Sequence, residues 1–220
     1  MSVERYFQKR ADEFDALYDE SRWWYRLDRL LRRGLYERVE LTLGEMKELG
    51  NFSVLDAGCG SGRNAVLFAG AGAQRVVGID FSARMIELAK ALSRNRGMDT
   101  RCEFIQADFL EYSASERFDV VVALGVFDYL ADPRSFLQRM MQHATRKVIA
   151  SFPRASLIRA PIRKLRYGLR NCPVYFTTED RLGELCHQAG LQGFRLVPYA
   201  SSGLLLVGDV AGAKQPLDEI

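Results

Sequence analysis

Only four of the 220 residues are cysteine and two are histidine, and neither type is grouped. Cys59, Cys102, Cys172 and Cys186 form no C-x-x-C pair, and His143 and His187 are far apart. This excludes a zinc ribbon and a disulfide framework, and no metal site is expected. The thiols read as reduced, which points to a cytoplasmic protein. No apolar run approaches the roughly 20 residues needed to span a bilayer. The amino terminus, Met-Ser-Val-Glu-Arg-Tyr-Phe, is charged where a signal peptide would carry an apolar core. Low-complexity tracts and internal repeats are lacking too. So is a strong surplus of either charge: 31 Lys and Arg against 28 Asp and Glu leave +3, too little to imply nucleic acid. With 48% hydrophobic and 27% charged residues, the chain fits one globular domain with its own core.

The most informative segment is Val54-Leu-Asp-Ala-Gly-Cys-Gly-Ser-Gly62. Val54 and Leu55, preceded by Phe52, read as a short buried strand with Asp56 at its carboxyl end. Gly58, Gly60 and Gly62 form a turn, and a helix runs from Arg63 to Ala69. Strand, glycine turn and helix bring bare backbone N–H groups and a helix N-terminus against a nucleotide-like ligand. Without Cβ atoms, the main chain approaches that ligand closely. The dinucleotide fingerprint needs a small residue at its sixth position, where this chain has Arg63. A phosphate-cradling P-loop needs Gly-Lys-Ser/Thr, which does not occur. Asp56 would repel a pyrophosphate but suits a cation such as an amino-acid ammonium. The expected ligand is therefore a nucleoside joined to an amino acid.

The next segments extend that pattern. Arg75 to Asp80 is a second apolar strand ending in an acid about 20 residues past the glycines, where a carboxylate takes both ribose hydroxyls. Phe81 offers its ring to a purine. Ser82 is a good helix N-cap, and Ala83 to Asn95 carries Met85, Ile86, Leu88, Ala89 and Leu92 at helical spacing. Cys102 to Phe109 reads as a third strand, with Asp108 able to accept from an adenine amine and Phe109 able to flank the ring. Phe118 to Gly125 is a fourth, followed by a loop from Val126 to Tyr129. Lys147 to Phe152 is a fifth.

In this order and spacing, VLDAGCGSG, VVGIDFS, QADFL and FDVVVALGVFDYL resemble the class I S-adenosylmethionine-dependent methyltransferases of the small-molecule type, over about residues 52–152. The resemblance implies an α/β fold: a Rossmann-like doubly wound sheet of seven strands with a closing antiparallel strand. It implies S-adenosylmethionine as cofactor and S-adenosylhomocysteine as product. By the same resemblance, Gly58, Cys59 and Gly60 line the methionine part with Asp56 below, and Asp80 takes the ribose. Phe81 and Met85 flank the adenine, Asp108 with Phe109 reads its edge, and Leu124 and Gly125 offer backbone near the methionyl amine. Ordinary core packing is the competing reading for the apolar members, Met85 above all. Many family members carry an Asn/His-rich stretch after the fourth strand. This chain has Val126-Phe127-Asp128-Tyr129 there, so Asp128 and Tyr129 are the candidate catalytic residues, and a histidine base is not expected. Asp128 suits orienting an amine or taking a proton, and equally suits capping the next short helix.

The basic residues cluster outside this core. Residues 1–50 read as a helical N-terminal lid, with helices from Val3 to about Asp19 and from Ser21 to about Leu49. Tyr18, in Phe14-Asp-Ala-Leu-Tyr-Asp19, is a candidate cofactor contact or a packing residue of its helix. Residues 51–152 form the cofactor-binding core, and 153–178 a helix-and-loop insertion after the fifth strand. From Arg154 to Thr178 no residue is acidic, while six Arg and Lys alternate with aliphatic side chains. Such a cap suits an anionic or amphipathic small acceptor, contact with an acidic membrane surface, or simple solvation. Residues 179–220 hold a helix from Glu179 to Ala189, capped by Thr178 and ended by Gly190, then strands Leu191 to Tyr199 and Gly203 to Asp209. The expected function is methyl transfer to a small metabolite, with no nucleic-acid partner. RNA or protein methylation and a non-catalytic cofactor-binding module are the alternatives. The Asn/Asp-Pro-Pro-Tyr/Phe motif of many amino-methylating enzymes is absent after the fourth strand.

Overall fold

Unbroken β-branched runs such as Val120-Val-Val122 suit strands covered on both faces, which is the environment of a parallel sheet packed between helices. The computed structural model, which describes residues 33–155, 174–200 and 203–210, has that architecture. The chain runs through helix α1 (Arg33–Met46), a 3-10 turn (Lys47–Leu49), β1 (Ser53–Ala57), α2 (Arg63–Gly70), β2 (Arg75–Asp80) and α3 (Ala83–Asn95). It continues through β3 (Cys102–Gln106), β4 (Phe118–Ala123), α4 (Pro133–His143), β5 (Ala144–Pro153), α5 (Glu179–Ala189), β6 (Gly193–Tyr199) and β7 (Gly203–Asp209). Seven strands form one sheet in the order β3-β2-β1-β4-β5-β7-β6. β1 to β5 are parallel, while β7 runs antiparallel to both β5 and β6.

Two apolar layers sandwich the sheet. On one face, Met46 of α1, Phe68 of α2 and Ala89 of α3 pack against Val54, Val76, Val120 and Val122. On the other, Phe136, Leu137 and Met140 of α4 and Leu182 and Cys186 of α5 pack against Leu55, Val121 and Val148. The strand order switches between β1 and β4, the chain winding outward to β2 and β3 on one side and to β5 on the other, so the loops after these two parallel strands part there and leave a crevice. Asp119 ties the two strands together at their other end: its Oδ2 accepts from the Ser53 amide at 2.8 Å and the Ser53 hydroxyl at 2.9 Å.

Helix signals read from the sequence hold. The Ser82 side chain accepts from the Met85 amide, the Thr178 side chain accepts from the Arg181 amide, and Gly190 closes α5 in the left-handed conformation. Several boundaries differ. β3 stops at Gln106, and Asp108 lies in a turn in which Tyr112 N donates to its carbonyl. β4 stops at Ala123, so Leu124 and Gly125 belong to the following loop. β5 begins at Ala144, three residues before the expected start, and β6 begins at Gly193 rather than Leu191. α4 is capped by Asp132, whose carboxylate accepts from Arg134 N at 3.0 Å. Capping by Asp128 is thereby corrected. The helices expected from Val3 and from Ser21, up to residue 32, and most of the basic insertion lie outside the described residues.

Candidate active site

The glycine turn is built to fit under and against its neighbours. Gly58 and Gly62 both have positive φ (74° and 75°). A Cβ on Gly58 would overlap the Val126 side chain, and one on Gly62 would lie 2.7 Å from Ala89 Cβ and 2.9 Å from the Phe104 ring. Larger residues would push the turn out of this crevice. Where a Cβ on Gly60 would stand, no described residue lies within 4 Å, so among the described residues the space over the turn is open there. The expectation of bare amides needs correction. Gly58 N and Cys59 N both donate to Ile79 O, at 2.8 and 2.9 Å, because the β1 turn is stitched to the end of β2.

Asp80, at the carboxyl end of β2, is pinned by backbone. Its Oδ2 accepts from Gly60 N at 3.0 Å and its Oδ1 accepts from Ser82 N at 2.9 Å. One bond per oxygen leaves each oxygen a further lone pair. Burial pushes its carboxyl up, and these two amide bonds pull the other way.

Asp56 lies deeper, 1% exposed, and its Oδ2 has no hydrogen-bond partner among the described residues. Burial, then the nearby Asp80, raises its carboxyl to about 7, and the Arg38 guanidinium opposes both. A buried carboxylate oxygen left unpaired is costly unless a ligand completes it. Cys59, beside both acids, has its thiol pushed well above the ordinary range by burial and by their charges. It is a packing thiol, not a nucleophile.

Arg38 was not apparent from the sequence. It reaches from α1 across the crevice to Gly125, where its Nη1 lies 3.0 Å and its Nη2 3.3 Å from where a Cβ would stand. Nη1 donates to Ser151 Oγ at 3.5 Å, while the buried Nε has no partner. Ser151 Oγ also accepts from Gly125 N at 2.8 Å. Local periodicity cannot reveal such a group, since its partner Ser151 is 113 positions away. The Arg38 guanidinium is thus near enough to act on the Asp56 carboxyl, and among the described residues each group keeps one buried polar atom without a partner.

The remaining candidates divide by environment. Met85 is buried yet belongs to neither apolar layer among the described residues, unlike its neighbour Ile86. Phe81 follows Asp80 directly, and its carbonyl accepts from Gln106 Nε2 at 3.3 Å. Asp108 is exposed and uses Oδ1 to accept from Leu110 N at 2.9 Å. Phe109 packs inward, its ring 4.6 Å from Phe136 and 5.9 Å from His143. Leu124 joins the α1–α3 layer. Asp128 is buried at the turn in which Tyr129 N donates to Val126 O at 3.0 Å. Tyr18 lies outside the described residues.

On the far side of that turn is a cavity of about 400 Å³, lined among others by Phe127, Phe152, Tyr175, Phe176, Arg181 and Leu185. Its wall is joined to the turn, because Tyr175 N donates to Asp128 O at 2.9 Å. Val126 touches the glycine loop, Phe127 lines the cavity and buried Asp128 follows them in the same turn. One short turn separates the two spaces.

A seven-stranded doubly wound sheet with acids closing β1 and β2 around a glycine turn defines a nucleoside-binding α/β protein of the methyltransferase kind. A family model described as a methyltransferase domain matches residues 48–190, and the chain belongs to that family. It is 30% identical over 187 residues to a ubiquinone biosynthesis O-methyltransferase of Rhodopseudomonas palustris (strain BisB5), covering 80% of this chain and 70% of that protein. It is 32% identical over 108 residues to a tRNA 5-carboxymethoxyuridine methyltransferase of Escherichia coli (strain K12), covering 48% of this chain and 41% of that one. The chain spans less than half the length of other ubiquinone biosynthesis O-methyltransferases it matches, 43% and 42%. In fold it is similar to the magnesium protoporphyrin IX methyltransferase of Synechocystis PCC 6803, solved with bound SAH. That likeness has a TM-score of 0.77 at 20% identity and covers 95% of this chain and 98% of that one. Among the described residues, no helix is long and apolar enough to cross a membrane.

Proposed function

We propose that this chain transfers the methyl group of S-adenosylmethionine to a small acceptor with an apolar body. The observation that carries this reading is the buried Oδ2 of Asp56, which has no partner among the described residues, beside the glycine turn and within the influence of the Arg38 guanidinium. A zwitterionic amino acid completes both: its ammonium pairs with Asp56 and its carboxylate with Arg38. Asp80 keeps lone pairs for the two ribose hydroxyls. Phe81 and Met85 border the adenine, with the Asp108 turn at its edge and Phe109 bracing that turn from below. Gly58, Cys59, Gly60, Leu124 and Gly125 line the aminoacyl end, and Tyr18 is a further contact.

The cofactor supplies a methyl carbon on a sulfonium: the acceptor's lone pair forms the new bond while the carbon–sulfur pair returns to sulfur. The chain's part is alignment and exclusion of water. Asp128, buried in the turn after β4 whose carbonyl is bonded to the cavity wall, orients the acceptor's heteroatom and takes its proton where that atom is a hydroxyl. Tyr129 borders the same opening. The aromatic cavity beyond the turn suits the apolar body, and Arg181 at its wall suits an anionic substituent.

A second reading, a carboxylate-bearing RNA acceptor, is favoured by the similarity to the tRNA enzyme. The test is release of S-adenosylhomocysteine on incubation with cofactor and two acceptor pools. Turnover is expected with amphipathic aromatic alcohols and acids. Turnover with bulk tRNA alone supports the second reading, and cofactor binding without any turnover supports a non-catalytic module.

A further inference from the structure

The sheet's closing strands are remote from the glycine turn in sequence, yet they reach the same crevice. Tyr199, the last residue of β6, is buried beside the β6–β7 connection. Its ring is seated on Gly203, where any Cβ would overlap it, and Gly34 of α1 approaches from the other side. Burial pushes the Tyr199 hydroxyl up, and Arg38 of α1 and Ser151 of β5 are near enough to oppose that rise. Ser151 in turn accepts from the Gly125 amide and from Arg38 Nη1.

The Arg38 side chain is long and otherwise weakly held. Its hydrogen bond to Ser151 is long, 3.5 Å, and among the described residues its Nε has no partner. A flexible cation aimed at a ligand loses rotamer entropy on binding unless its position is set beforehand. Ser151 gives it a fixed oxygen on an inner strand, and the ring seated against Gly203 brings the Tyr199 oxygen nearby. We infer that Tyr199 and Ser151 are positioning residues: they hold the Arg38 guanidinium over Gly125, ready for the carboxylate of the adenosyl amino acid. The closing hairpin therefore takes part in reading the aminoacyl end. This rests on the cofactor assignment above and goes beyond it in naming what keeps the guanidinium in place.

The test compares two ligands that differ in the aminoacyl group. S-adenosylhomocysteine carries it, and 5′-methylthioadenosine does not. Tyr199→Phe keeps the seated ring and removes only the hydroxyl. In calorimetry with the full chain, it should weaken S-adenosylhomocysteine about three- to tenfold, the scale of one hydrogen bond to a charged group. Affinity for 5′-methylthioadenosine should stay within about twofold. Ser151→Ala should shift the two ligands in the same unequal way. In an Arg38→Met background, Tyr199→Phe should have no further effect on S-adenosylhomocysteine, since the shared group is gone. Equal losses for both ligands, or a Tyr199→Phe effect undiminished by Arg38→Met, would assign the pair a merely structural role and overturn the proposal. A wild-type chain that binds 5′-methylthioadenosine but not S-adenosylhomocysteine overturns it as well. If the wild-type chain binds neither ligand, the cofactor assignment itself fails.

Discussion

The two halves of the sheet deal differently with buried polarity. In β4, β5 and β7 the interior is apolar or satisfied: Val121, Ile149 and Leu205 are fully shielded, and the one fully buried serine, Ser151, has partners. At the ends of β1 and β2 the chain instead buries two carboxylates, the charge of Asp80 raising the Asp56 carboxyl, and among the described residues one Asp56 oxygen has no partner. Folding alone gives no reason for that arrangement, which costs stability wherever the carboxylates ionise. The difference identifies the half that needs a ligand to be complete. The other half supplies walls, an aromatic cavity and the support for Arg38.

The largest break in this contrast should come from Gly58→Ala. Positive φ and overlap with Val126 together predict a loss of about 2–4 kcal/mol in stability by denaturant unfolding. Gly193, at the start of β6, has nothing near a built Cβ, and Gly193→Ala should change stability by less than about 1 kcal/mol. Next is Asp80→Ala, which should weaken S-adenosylhomocysteine by about 1–3 kcal/mol in calorimetry.

Asp56→Asn sharpens the comparison by separating stability from function. The folded carboxyl titrates near 7 against an ordinary 3.8, so between those values the folded chain holds a proton that the unfolded chain lacks. The stabilising contribution of neutral Asp56 is thus complete below pH 3.8 and is lost as pH rises to about 7. Asp56→Asn should raise the melting temperature of the ligand-free chain at pH 8 and flatten this part of its pH dependence. The same change should weaken S-adenosylhomocysteine. A lower melting temperature would mean that the carboxylate supports the fold. The smallest effect expected is that of Gln188→Trp, at the exposed rim of the cavity. It should raise KM for the acceptor several-fold while leaving S-adenosylhomocysteine affinity within about twofold.

The same division explains what could be read from the chain. The glycine turn, Asp56, Asp80, the Ser82 and Thr178 caps and the Gly190 stop are short-range signals, written within a few residues of the elements they control. They led to the correct sheet and to the crevice. Asp108 and Phe109 were drawn into a strand because the apolar run does not mark where pairing with β2 ends, and that pairing stops at Gln106. Arg38, Ser151 and Tyr199 escaped notice altogether. They come from three separate elements, and each is unremarkable in its own segment: an arginine among many, a serine in a strand, a tyrosine before a turn. Only the fold brings them together.

The proposed recognition of an adenosine-borne zwitterion by the Asp56 carboxylate and the Arg38 guanidinium makes a direct prediction. Calorimetric titration of the unmodified chain with S-adenosylhomocysteine and with 5′-methylthioadenosine, from pH 5.5 to 8, tests it directly. One S-adenosylhomocysteine should bind per chain, with affinity rising by up to about tenfold per pH unit until Asp56 is ionised near 7. The 5′-methylthioadenosine should bind more weakly and with little pH dependence. Equal affinity for the two ligands at every pH would contradict the account.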